Sequence, residues 1–234
     1  MNQNPHAAHD DAADYYRGVS GRAYHEQKRG LRPGGRDWIL RQRAAKFQRH
    51  VRPGDTVCEL GVGAGWNLGR LQCGRRIGID AADCLDETLK NLGIEFLEKI
   101  ELVPAASIDV GICHHTLEHL LEPAAALRQF ARVLKPGGHL ILHVPWERER
   151  RHARYRPDEP NHHLYTWNAQ NLGNLVTVTG YKINHIAVKK YGYDRFAANT
   201  ADRLKIGCSG YALLRFVLLL LRPLHEVELV CQRA

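Results

Sequence analysis

Apolar and polar positions follow two rhythms along this chain. In "DWILRQRAAKFQRHV", apolar residues recur at Leu40, Ala44, Phe47 and Val51, the spacing of one helical face, and Arg41, Arg43 and Arg49 are left to solvated faces. "RPGD" is a turn, after which "TVCEL" reads as a short buried strand that stops at Gly61. A helix from about Gly65 to Cys73 follows, and "RRIGID" supplies a second strand ending on Asp80. "GIEFL" is the best third strand and "SIDVGICHH" a strong fourth. "EPAAALRQFARVL" then repeats apolar residues at Ala124, Leu127, Ala131 and Leu134, with Pro123 suited to a first helical turn. "KPGG" closes that helix, and "HLILHVPW" is the fifth strand.

Strand and helix alternating in this way predict an α/β fold with a doubly wound, mostly parallel sheet. Beyond Trp146 the pattern breaks. Residues Glu147 to His163 are too polar and too interrupted by proline to pack as core, and read as a long loop at the ligand-binding edge, a mobile lid over the acceptor. A helix from near Thr166, the strand-like "YKINHIAVKKYG", the apolar run Tyr211 to Leu221 and the strand-like "HEVELVCQR" complete the chain. The organisation expected is an N-terminal extension over 1–36 and one domain over 37–234. Within it lie a first half at about 51–146, the loop 147–163 at the ligand-binding edge and a C-terminal strand pair with an inserted helix at 181–234.

Composition narrows this modestly. The 234 residues suit a single core, and a net charge of +8 suits an acidic acceptor, although the charges are scattered. Six cysteines without C-x-x-C spacing read as reduced core thiols of a cytosolic protein. The first 14 residues lack a secretory signal, so the expected location is cytoplasmic. The run Tyr211 to Leu221 is too short for a bilayer span and reads as a buried or interface helix, or as one lying on a membrane surface.

The chemistry concentrates in "VCELGVGAGWN", where Glu59 precedes Gly61, Gly63 and Gly65. Glycines at a strand end let a ligand lie against the main chain. A pyrophosphate-binding loop would need a third glycine where this chain has Trp66, which argues against an NAD-linked oxidoreductase. Asp80, at the end of the next strand, is placed to accept both hydroxyls of a ribose.

These motifs, with "IDVGICHHTLEHL" and "RVLKPGGHLILHVP", resemble those of class I S-adenosylmethionine-dependent methyltransferases of the small-molecule type. The resemblance implies a seven-stranded Rossmann-like sheet with an antiparallel last strand and S-adenosyl-L-methionine as cofactor. It also implies cofactor-binding roles for Glu59, Gly61, Gly63, Gly65 and Asp80, and for His114, His115 or Thr116 beside the sulfonium. A carboxylate at Glu59 suits a cationic cofactor. "EFLEK" departs from the family at strand three, so the adenine contact stays unassigned.

His162, His163 and His115 are the candidate bases, with Glu118 and His119 opening a helix, and His139 and His143 reading as packed residues on one strand face. Alternation along strand four predicts that only one of His114 and His115 faces the cofactor. No metal is expected, since "HHTLEH" and "NHH" lack a recognisable ligand spacing. The acceptor is expected to be a small molecule, a lipid or a saccharide, possibly acidic. RNA, an oxidoreductase substrate and a non-catalytic binding role are the alternatives.

Overall fold

Among the described residues, the apolar runs form seven strands in the order β3-β2-β1-β4-β5-β7-β6. The computed structural model describes Tyr16, Gly18, Gly21, residues 30–146, Arg154, Tyr155 and residues 161–233. The elements are α1 (Pro33–Gln48), β1 (Thr56–Leu60), β2 (Arg75–Ile79), α2 (Asp86–Lys90), β3 (Glu95–Leu97), β4 (Ile108–His114) and α3 (Pro123–Val133). They continue with β5 (Leu134–Pro145), α4 (Ala169–Val178), β6 (Tyr181–Tyr191), α5 (Asp194–Arg203), α6 (Gly207–Leu221) and β7 (Leu224–Arg233). β1 pairs in parallel with both β2 and β4, and β4 with β5, whereas β7 runs antiparallel to β5 and β6. The strand order therefore reverses at β1, and the crevice for a ligand lies beyond the carboxyl ends of β1 and β4.

Apolar residues cover both faces of the sheet, as strands buried on two sides require. Leu127 and Phe130 of α3 and Leu172 and Val176 of α4 pack on one face. Ala44 and Phe47 of α1 cover the other together with Leu68, Leu71 and Leu89. A smaller cluster joins Ile39 of α1 to Ala197, Ala198 and Ala201 of α5 and Tyr211 of α6.

Three expectations need correction. The helix at Gly65 to Cys73 is a run of turns in which Gly65 N–H donates to Val62 O and Gly69 N–H to Gly65 O. Glycines at 65 and 69 weaken a helix there, and a Cβ at Gly69 would lie 2.9 Å from Leu40 Cδ2. "KPGG" does not lie between helix and strand: β5 starts at Leu134, and the register to β4 slips between Ile108 and Val110 to accommodate it. Of the three readings open for Tyr211 to Leu221, the buried one fails, since Tyr211 is its one buried residue, and an interface or membrane-surface helix remains. The expected loop and lid at Glu147 to His163 lies largely outside the described residues.

Candidate functional site

A cavity of about 820 Å³ opens beyond the ends of β1 and β4. Gly61, Gly63, Asp80, His114, His115 and Thr116 all line it. The glycines serve distinct ends. Gly63, at φ +50°, has nothing within 4 Å of where a Cβ would stand, so that backbone is a cradle kept bare for a ligand. Gly61, at φ +74°, would press a Cβ onto Thr116 Oγ1, and Gly65 would press one onto Ile94, Leu89 and Leu92. Gly61 thus admits the β4 turn, and Gly65, off the cavity wall, admits core packing.

Asp80 staples the loop. Its Oδ2 accepts from Gly63 N–H at 2.8 Å and its Oδ1 from Ala82 N–H at 3.0 Å. The spare lone pairs of both oxygens remain suited to a diol.

Glu59 lies beneath the cavity rather than on its wall, fully buried, with Asn67 donating to its Oε1. Its Oε2 meets no hydrogen-bond partner among the described residues. Burial pushes its pKa up to about 8, opposed by the Asn67 hydrogen bond. An orphaned buried carboxyl under a bare glycine cradle fits a ligand that brings positive charge.

The histidines depart most from expectation. His115 has φ +52°, so the alternation of β4 ends there and both rings reach the cavity, stacked with centroids 4.5 Å apart. His115 Nε2 lies 3.0 Å from Glu226 Oε2. His114 Nε2 accepts from Lys46 Nζ at 3.0 Å and from Arg43 Nη1 at 3.1 Å, which fixes its proton on Nδ1. Burial holds His115 down at about 4 and His114 well below the usual imidazole range, with the Lys46 cation adding to the effect at His114. His143 is packed as expected, but it stands 3.2 Å from Glu226 and is held low by burial and Lys46.

Sequence reasoning missed the partners of these rings. Glu226, almost fully buried on β7, also accepts from Lys46 at 2.6 Å, and these contacts hold its carboxyl far below the usual range despite its burial. Burial lowers Lys46 to about 8. Arg43 and Arg49, expected to be merely solvated, pair with Asp194 at 2.8 Å and Glu228 at 2.6 Å. The available signal was acidic residues, Glu226 and Glu228, inside an otherwise apolar strand pattern.

His162 and His163 do not line the cavity; His163 packs behind His119, which does, at a centroid distance of 4.9 Å. Glu118 and His119 sit in a single 3-10 turn rather than a helix. Folding nevertheless brings ligand atoms of Glu118, His119 and His163 within 4.8 Å of one another, and likewise those of His114, His115 and Glu226.

Comparison with known proteins gives the class. A family model described as a methyltransferase domain matches residues 28–186. The chain belongs to that family, and its fold is that of the class I S-adenosylmethionine-dependent methyltransferases. The cofactor is S-adenosyl-L-methionine, whose cationic sulfonium and ribose suit the orphaned Glu59, the Gly63 cradle and Asp80.

Among curated relatives, an uncharacterised 37.1 kDa protein in transposon TN4556 of Streptomyces fradiae is 32% identical over 42% of this chain and 32% of its own length. A probable tRNA methyltransferase 9B of Mus musculus is 29% identical over 58% of this chain and 31% of its own. The chain thus spans about a third of the length of these relatives. Among solved structures, a possible histamine N-methyltransferase of Thermotoga maritima superposes with a TM-score of 0.59 at 16% identity, covering 86% of this chain and 91% of that one. The [4+2]-cyclase SpnF gives 0.58 at 19% identity, covering 84% and 80%. Likeness at this level shows the fold alone.

Proposed function

We propose that this chain methylates a small-molecule, lipid-linked or saccharide acceptor, with His115 as the base and Glu226 as the residue that orients it. The observation that carries the reading is the 3.0 Å contact between His115 Nε2 and Glu226 Oε2 at the cavity wall. The cofactor supplies an activated methyl group. Glu59, beneath the glycine loop, balances the positive charge, and Asp80 holds the ribose while keeping Gly63 in place. His115 is unprotonated throughout the neutral range, with Nε2–H directed at Glu226 and Nδ1 as the atom that takes the proton the acceptor loses as its bond to carbon forms. Methyl transfer is an in-line displacement, so alignment and exclusion of water are the other requirements, and the apolar walls at Leu60, Val62 and Leu120 contribute to the second. His162 and His163 enter this reading behind His119, not as the base.

An RNA acceptor is the second reading, favoured by the curated relatives named probable tRNA methyltransferase 9B and by the net charge of +8. Incubating the purified protein and labelled cofactor with separate metabolite, lipid and RNA pools distinguishes the two. Label in a lipid or metabolite fraction supports the first reading, and label confined to RNA replaces it with the second.

A further inference from the structure

Antiparallel neighbours such as β6 and β7 need only a tight turn between them, yet residues 192–223 intervene and carry α5 and α6. β6 runs parallel to β1 and β4, so it ends at Tyr191 on the edge where the cavity opens, and Tyr191 and Arg195 line that cavity. The helical pair therefore stands at the rim of the site.

One side of α6 is anchored. Tyr211 O–H donates to Gln42 of α1, Arg215 pairs with Asp194 at 2.6 Å, and Leu214 packs against the cluster that holds Ile39 of α1 and Ala197, Ala198 and Ala201 of α5. The opposite side carries Leu213, Phe216, Val217, Leu220 and Leu221 at helical spacing, each between 40% and 75% exposed. Leu204 and Ile206, just before the helix, are also exposed. A water-facing side would ordinarily be polar, and a contiguous apolar stripe on a surface marks something it covers. Charge narrows the occupant. From Arg203 to Leu224 there is no acidic residue, and exposed Arg203, Lys205 and Arg222 bracket the helix. A twofold pairing of two α6 stripes would set Arg222 of one copy against Arg203 and Lys205 of the other, cation on cation. An anionic lipid surface accepts both the stripe and the cations. At 15 residues α6 is only about 22 Å long, short of a bilayer core, so it lies in the plane of the surface.

We propose that α6 seats this protein on an anionic lipid surface, its apolar stripe at the acyl boundary and Arg203, Lys205 and Arg222 on the headgroups, with the cavity rim held at that surface. The docking stands independently of methyl transfer. Only the idea that the acceptor is drawn from the same surface rests on the reading above.

The test is flotation of the full chain with vesicles of phosphatidylcholine alone and of phosphatidylcholine mixed with phosphatidylglycerol. The expected result is capture by the mixed vesicles alone, abolished by Phe216→Asp with Leu220→Asp and weakened about fivefold by Arg222→Ala. Calorimetry with S-adenosylhomocysteine shows that each variant is folded, and a second pair, Leu213→Gln with Leu221→Gln, should behave as the first does. Failure of the folded wild-type protein to bind mixed vesicles overturns the proposal, as does undiminished binding by both double variants. A dimer in sedimentation that these substitutions dissolve assigns the stripe to a second copy instead. Any of these results, with cofactor binding intact, leaves the methyl-transfer reading standing.

Discussion

Asp80 reaches from the end of β2 to the glycine loop after β1, where its Oδ2 accepts the Gly63 N–H at 2.8 Å. One carboxylate therefore shapes the cradle and faces the cavity. Replacing it with alanine should weaken S-adenosylhomocysteine binding by ~1.5–3 kcal/mol, through lost charged hydrogen bonds. The Gly63 amide should also exchange faster in the free protein. Unchanged affinity would exclude Asp80 from the ribose.

Gly61 and Gly63 should fail differently. Gly63→Val adds a branched side chain in open space, so the protein should fold, at a conformational cost of ~1–2 kcal/mol, and lose the cofactor. Gly61→Ala drives a Cβ into Thr116 and should lower the melting temperature as well. A folded Gly63→Val protein with normal affinity would reduce that loop to a turn.

Glu59 should lose a proton when the cofactor arrives. Raised to about 8 by burial, it is mainly protonated at neutral pH in the free protein, and a cation above it favours ionisation. Binding enthalpies measured in buffers of different ionisation enthalpy should show proton release, absent in Glu59→Gln. Equal enthalpies in all buffers would contradict this placement of charge.

His115→Ala should lower turnover by ~10²–10⁴-fold, the usual contribution of a general base. Glu226→Gln should reduce turnover with a smaller effect on cofactor affinity and should shift the pH profile, because the ring loses the carboxylate that stabilises its charged form. Full turnover in His115→Ala would remove the dyad from the mechanism.

Acid should destabilise the fold through the buried rings. His114, His115 and His143 have folded-state pKa values depressed by burial, that of His115 to about 4, so as pH falls below 6.5 the folded state binds fewer protons than the unfolded one. Their contribution to stability is then complete above pH 6.5 and is lost as pH falls below it, for His115 as pH approaches 4. Glu59 has the opposite sign, its folded pKa being raised from 4.5, so its contribution fades as pH rises toward 8. Denaturant midpoints across this range should rise with pH from 4 to 6.5 more steeply in Glu59→Gln than in the wild type. A flat profile in that variant would show the rings to be solvated.

The parallel strands and the cradle were legible because they rest on local signals: apolar runs ending in glycine, and an acid at the next strand end. Arg43, Lys46 and Glu226 were not, because their meaning depends on partners far along the chain, 180 residues apart for Lys46 and Glu226. The pairing of His114 and His115 was misread for a different reason. Alternation assumes extended backbone, and His115 adopts a left-handed turn that period-two reasoning does not anticipate.

The reversed direction of β7 also bears on how the protein is made. Because that strand runs against its neighbours, its beginning, at Glu226, reaches the same edge as the ends of the parallel strands. The ring at His115 emerges from the ribosome early, whereas the carboxylate 3.0 Å from it emerges only after α6 has been synthesised. Until then Lys46 and His143 lack their common counter-ion, and the nascent sheet has an open edge at β5. A chain interrupted before Glu226 would lack both the carboxylate beside His115 and the strand that joins β6 to the sheet, so the order of synthesis puts the closing of the sheet and the completion of this cluster in one last step.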